Sequence, residues 1–135
     1  MKPALIDTDI LSLFFRNDLT VIERFREYLQ EHGRMNISIL TFYEILSGLK
    51  HRDALKQLDM FFEFVKNNTI LPLTEKSVAI SSDIYAALRK TGNQLDDIDI
   101  LIAGVAIAHD LVLVTHNVHH FSRIEDLEVT DWSAP

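Results

Sequence analysis

Short apolar runs alternate along this chain with longer stretches whose apolar residues return every three or four positions. Residues 4–6, 36–39, 70–73 and 112–115 have the length and composition of buried strands, and 128–130 reads as a short edge strand. Between them Val21, Phe25 and Leu29 fall on one helical face, as do Leu55, Leu58, Phe62 and Val65, and then Val78, Tyr85 and Leu88. Those segments are expected to be amphipathic helices with these residues turned inward, and a short helix is expected over 10–15. Residues 100–108 are apolar on every side, so a helix there must be central and covered. Strands alternating with helices predict an α/β domain, with a mainly parallel sheet of four to five strands flanked by helices on both faces.

Composition narrows this picture. At 135 residues, 47% hydrophobic and 24% charged, the chain suits one compact domain over residues 1–135, and 4 Gly and 3 Pro leave no candidate linker. The absence of cysteine excludes a disulfide framework, a thiolate zinc site and a cysteine nucleophile, and fits a reducing, cytoplasmic setting. The opening MKPALIDTDILSLFF is interrupted by Asp7 and Asp9, so neither a signal peptide nor a membrane span is expected. Charge points away from nucleic acid at first sight, with 20 acidic against 13 basic side chains and a net of -7. A cluster of those acids around one divalent cation would reverse the local sign, so their placement matters more than their sum.

Asp7 directly follows the first strand, Glu44 lies shortly after the second, and Asp99 opens the all-apolar helix. All three are expected at the carboxyl edge of the sheet, where open α/β folds bind ligands. Gathered there, they repel one another unless protons or a cation neutralise them, and an all-carboxylate set suits Mg²⁺ or Mn²⁺. Each acid also has a plainer role. Thr41 and Glu44 have the spacing of a capping box, Asp96 and Asp99 open their helix similarly, and Asp9 suits an N-cap. Capping and metal binding are compatible.

The segments LIDTDILS with Asp7, SILTFYEILSGL with Glu44, DIDILIAGVAIAHDLVLVTHNVHHFSRI with Asp99, Thr115 and Asn117, and the closing LEVTDW together resemble the PIN-domain ribonucleases. Within that family they are most similar to the VapC toxins of bacterial type II toxin-antitoxin systems. The resemblance implies a Mg²⁺- or Mn²⁺-dependent endoribonuclease whose ion is held by Asp7, Glu44 and Asp99. It also implies a homodimer and a cognate protein antitoxin. Two departures stand out. Family members commonly carry Asn where this chain has Asp9, and often an acid within the segment here running from Asn117 to His120. Asp96 or Asp97 could supply an outer contact in its place.

On this reading Asp7 and Asp99 are the principal ligands, and Glu44 completes the set or accepts the proton of the attacking water. Thr115 and Asn117, and less directly Thr8, are expected to hydrogen-bond the ligands or the scissile phosphate. Lys50, His51, Arg52, Arg89, Lys90 and Arg123 are the candidate RNA phosphate contacts. His116, His119 and His120 crowd one loop without a metal-ligand spacing and are expected to meet RNA or solvent. Phe61, Phe62 and Phe64 span more than one helical face, so one ring is expected outside the core, available to a second copy or to the antitoxin. Two other functions compete. Asp7-Thr8-Asp9 after a first strand is similar to the acid pair of haloacid dehalogenase phosphatases, though Leu11 replaces the Thr or Val found there. A degenerate PIN module that binds a partner without catalysis is the other.

Overall fold

In the computed structural model, which describes residues Met1–Pro135, the chain runs β1 (Ala4–Ile6), α1 (Thr8–Phe15), α2 (Leu19–His32), β2 (Asn36–Ser38), α3 (Ile39–His51), α4 (Leu55–Lys66), β3 (Thr69–Leu71), α5 (Glu75–Lys90), α6 (Asp97–Ala108), β4 (Val112–Val114), α7 (Val118–Phe121) and β5 (Val129–Thr130). Every strand pairing is parallel. β4 sits between β1 and β5, with Leu5 opposite Leu113 and Leu113 opposite Val129. β2 pairs with β3, Ile37 opposite Ile70.

The expected sheet of four to five strands is therefore divided into a three-stranded ladder and a two-stranded one. β1 and β2 are neighbours, but the Ala4 backbone is taken by side chains. Its N–H donates to Tyr28 Oη at 3.0 Å, and its carbonyl accepts from Asn36 Nδ2 at 3.1 Å. Those bonds satisfy the main-chain groups that a continuous ladder would have used.

Alternation along β1 and β4 separates two cores. Ala4, Ile6 and Val114 face a cluster with Ile10, Phe25, Phe61 and Trp132, whereas Leu5 and Leu113 face one with Ile84, Leu88, Ile102 and Phe121. The all-apolar segment is indeed the buried helix α6, with Ile102, Ala103, Val105 and Ala106 fully covered.

The expected helices are present, and α7 adds a short one that carries His119 and His120 where a loop was expected, but several faces differ. In α2, Tyr28 is buried and Leu29 is exposed. In α4, Phe61 supplies the buried anchor, while Leu55 and Phe62 face solvent. Phe64 packs edge-on against Phe15, so Phe62 is the ring left outside the core. In α5, Val78 and Tyr85 are exposed, and Ser77, Ser81, Ile84 and Leu88 form the buried face. The cause is the closeness of α6: a methyl group added at Gly104 would overlap the Ser81 hydroxyl and lie 2.5 Å from the Ser77 carbonyl oxygen. Small residues are required there, and Ser81 Oγ donates to the Ile100 carbonyl at 3.0 Å. No helix is long and apolar enough to cross a membrane.

Candidate active site

β1 delivers Asp7 to the carboxyl edge, and the chain enters α1 at the next residue. Asp7, not Asp9, is therefore the N-cap: its carboxylate accepts the Thr8 N–H at 2.8 Å, and its other oxygen accepts the Thr115 hydroxyl at 2.8 Å. Asp9 falls in the first turn of α1, where one carboxylate oxygen accepts the Ile10 N–H at 2.7 Å and the other the His116 N–H at 3.1 Å. Thr115, fully buried at the end of β4, also accepts the Asn117 N–H at 3.1 Å. Asn117 meets Thr115 through its backbone N–H, and its side chain is exposed.

Glu44 arrives from the adjoining helix. The expected capping box at Thr41 and Glu44 is displaced, because α3 begins at Ile39 and Ser38 is its N-cap, accepting the Thr41 N–H at 3.1 Å. That leaves Glu44 free in the second turn, where its Oε1 accepts the Thr8 hydroxyl at 2.6 Å. Behind Thr8 lies a line of buried hydroxyls, Thr41 Oγ1 at 3.0 Å from Thr8 and Ser38 Oγ at 3.5 Å from Thr41. With Thr8 donating to Glu44, the Thr41 hydroxyl donates to Thr8, so the line ends on the carboxylate with each donor aimed toward it.

Asp99 lies in the first turn of α6. Asp96 is the N-cap of that helix without a side-chain bond, and Asp96 and Asp97 are both exposed. The acids at this rim feel one another's charge. Burial, followed by the charge of Asp9, raises Asp7 to about 7, against the lowering effect of its bonds from Thr115 and Thr8. Burial, then Asp96, Glu44 and Asp9, raises Asp99 to about 6, with His120 opposing. Asp9 is also raised, again chiefly by burial. No Lys or Arg forms an ion pair with any of them. The site therefore holds several acids with only the imidazoles of His116 and His120 set against their charge.

Whether these residues suit a divalent ion can be judged from the donor set. It is all oxygen, partly desolvated and uncompensated, as Mg²⁺ and Mn²⁺ prefer. No three carboxylate or imidazole groups stand close enough to clasp one ion between them. Mg²⁺ characteristically takes one or two carboxylates and retains several waters, so an open arrangement of this kind fits it.

The remaining candidates divide. A cleft of about 800 Å³ opens beside Thr8 and Glu44, and Arg52 lines it together with Arg16 and Lys56, two residues the sequence did not single out. Lys50, Arg89, Lys90 and Arg123 do not line that cleft; Arg89 instead lies 4.6 Å over the Tyr85 ring. Nor do His116, His119 and His120 assemble into a metal site. The His116 ring nitrogen lies 3.1 Å from both Asp131 and Ser133, which ties the C-terminal segment to the rim. Sequence reasoning also left out Asp9 as a member of the acidic group and the Ser38–Thr41 hydroxyl line. The signal for the second was present as Ser38, three residues before Thr41.

Comparison with known proteins gives a consistent result. The PIN domain family model matches residues 4–127. The tRNA(fMet)-specific endonuclease VapC of Shigella flexneri is 30% identical over 135 residues, covering 98% of this chain and 100% of that protein. Ribonuclease VapC1 of Methanocaldococcus jannaschii is 31% identical, over 90% of this chain and 81% of that protein. Among solved structures, DNA-bound VapBC from Salmonella typhimurium superimposes with a TM-score of 0.87 at 28% identity, covering 98% of this chain and 99% of that one.

Proposed function

This chain belongs to the PIN-domain family and groups there with the VapC ribonucleases, and from that premise we propose that it is a metal-dependent endoribonuclease serving as the toxin of a type II toxin-antitoxin module. The observation that supports the reading is the electrostatic coupling of Asp7 to Asp99 and of Asp99 to Glu44 at one sheet edge, with no Lys or Arg ion-paired to any of them. Asp7 and Asp99 would hold Mg²⁺ or Mn²⁺ together with retained waters, and Glu44 would accept a proton from one of those waters rather than join them on the ion. When bound, such an ion offsets the charge that gathers on a phosphodiester under attack and acidifies its own water.

The chain's residues prepare that chemistry. Thr115 and the Thr8 amide fix both oxygens of Asp7, so the carboxylate does not have to reorganise. The Thr8 hydroxyl, backed by Thr41 and Ser38, orients Glu44 to accept a proton from the attacking water. RNA is the substrate class and a cognate antitoxin the partner, as the names of the VapC and VapBC relatives support. A second copy of the chain would complete the functional unit, and exposed Phe62 and Tyr43 offer apolar surface for such contacts. The match of the PIN domain model to residues 4–127 and the likeness to VapC ribonucleases favour this reading over the phosphatase alternative.

The deciding experiment measures cleavage of an RNA oligonucleotide with Mg²⁺ or Mn²⁺ and again with a chelator. Cleavage should vanish without metal and in Asp7→Asn and Asp99→Asn. Full activity of either variant at unchanged Mg²⁺ would overturn the assignment.

A further inference from the structure

The cleft that begins at Glu44 has a charge pattern unlike the rest of the protein. Acids outnumber bases by 20 to 13 along the chain, yet the residues lining this cleft include Arg16, Arg52 and Lys56 and only one acid, Glu44 at its end. None of the three cations takes part in an ion pair, although Lys2, Arg26 and Lys66 elsewhere all do. Arg16 and Arg52 come from the C-terminal ends of α1 and α3, and Lys56 comes from the first turn of α4, so three separate elements converge. The Arg52 guanidinium lies back over α3, with one nitrogen 3.6 Å from where a side chain at Gly48 would begin. That glycine leaves the floor open. The volume, about 800 Å³, is at the upper end of what ligand clefts span, roughly 300–1,000 Å³.

Unpaired guanidinium and ammonium groups in a groove are built for phosphate oxygens, Arg by its planar fork and Lys as a point charge. Continuity decides which phosphates. Thr8 and Glu44 belong both to the acidic rim and to the mouth of the cleft, so a strand whose scissile bond sits at the rim has its neighbouring phosphates beside the cations. We propose that Arg16, Arg52 and Lys56 form the track for the single-stranded RNA backbone on one side of the cleavage point, which gives an acidic protein its affinity for a polyanion. This inference rests on the ribonuclease reading and identifies how that site holds its substrate.

All three side chains are exposed, so their replacement leaves the fold intact. The test uses the full chain carrying Asp7→Asn to prevent turnover, and a mixed-sequence single-stranded RNA oligonucleotide as probe. Dissociation constants are measured across a salt series for Arg16→Ala, Arg52→Ala, Lys56→Ala and the triple variant. Lys2→Ala and Lys66→Ala, outside the cleft and already paired with Glu128 and Glu63, are the controls. Each cleft variant should weaken binding, the triple by about tenfold or more, and the salt slope should fall by roughly 0.7 for each phosphate left without its cation. In the active chain the same substitutions should raise KM and leave kcat unchanged.

Unchanged affinity and salt slope in the triple variant overturn the track while the ribonuclease reading stands, provided the parent chain cuts RNA. A parent that neither binds nor cuts RNA overturns both. Loss of binding to an acidic peptide with RNA binding intact assigns the cleft to a protein partner and likewise overturns the proposal.

Discussion

The two ends of the same strands are built to opposite rules. At the amino end of β1, charge is matched: Lys2 pairs with Glu128 at 2.8 Å and the N-terminal ammonium pairs with Glu31. Lys2 is raised and Glu31 lowered, each chiefly by its hydrogen bond to the partner, so both charged forms are favoured. At the carboxyl end of β1, one strand length away, Asp7 and Asp99 are raised because burial and neighbouring acids oppose their charge. A single short strand separates a surface that has neutralised itself from one that is incomplete alone. The second is the edge at which open parallel sheets bind their ligands.

The sharpest way to break this contrast is to remove one charge from the incomplete end. Asp7→Asn keeps the shape of the side chain and its acceptor for Thr8, yet should reduce metal-dependent RNA cleavage by about a thousandfold or more, a loss of about 4 kcal/mol in transition-state stabilisation. Single-turnover assays check this. An amino-end variant such as Lys2→Ala should retain the parental rate.

The second expectation concerns stability without metal. Asp7 has a folded pKa above its unfolded one, so the fold binds more protons than the unfolded chain between roughly pH 4 and 7. Stability is then full below that window and falls as pH rises through about 7, by an amount on the order of 2–4 kcal/mol from Asp7. Asp7→Asn should remove the largest share of this dependence, leaving the smaller part carried by Asp99 and Asp9, and be the more stable protein at pH 8, as urea denaturation in the presence of chelator will reveal. Parent and variant losing stability in parallel between pH 5 and 8 would mean that Asp7 does not carry the strain.

A smaller change is expected at Thr115. Thr115→Val removes the hydroxyl that holds Asp7 and receives the Asn117 amide. It should slow cleavage by about tenfold to a hundredfold and weaken the response to Mg²⁺, consistent with removal of an outer hydrogen bond to a ligand. A Mg²⁺ titration with full saturation at the parental concentration would argue that the bond is dispensable. Least of all is expected from Glu128→Ala at the amino end, whose exposed pair should leave both melting temperature and activity unchanged.

Much of this contrast was legible before any coordinates. The wholly buried β1 and β4 leave a clear mark, the half-buried β3 a weaker one, and Asp7, directly after β1, falls at the carboxyl edge by necessity. α6 was equally readable, because a helix apolar all round has only one place to go. What escaped the sequence was the packing of one element on another. Val78 and Tyr85 had the right period in α5, but the face against α6 is set by how closely Gly104 lets the backbones approach, and that favours Ser77 and Ser81 over larger apolar side chains. The division of the sheet was hidden because it depends on Tyr28 and Asn36 reaching the Ala4 backbone from elsewhere in the chain. At the site, Asp9 has the sequence position of an N-cap, but α1 begins at Thr8 and Asp7 takes that role, which leaves Asp9 within the acidic group. Arg16 and Lys56 looked like ordinary surface charges, since a cleft between three helices has no linear signature.

Gly104 also bears on the chemistry from a distance. It lies five residues along α6 from Asp99, about 7.5 Å down the helix axis, and acts as the seat in which that helix is clamped against α5. One extra methyl there would have to slide or tilt the whole rod, carrying the carboxylate at its tip away from its companions. The placing of Asp99 can thus be altered from behind, by a single carbon atom that lies outside the acidic rim.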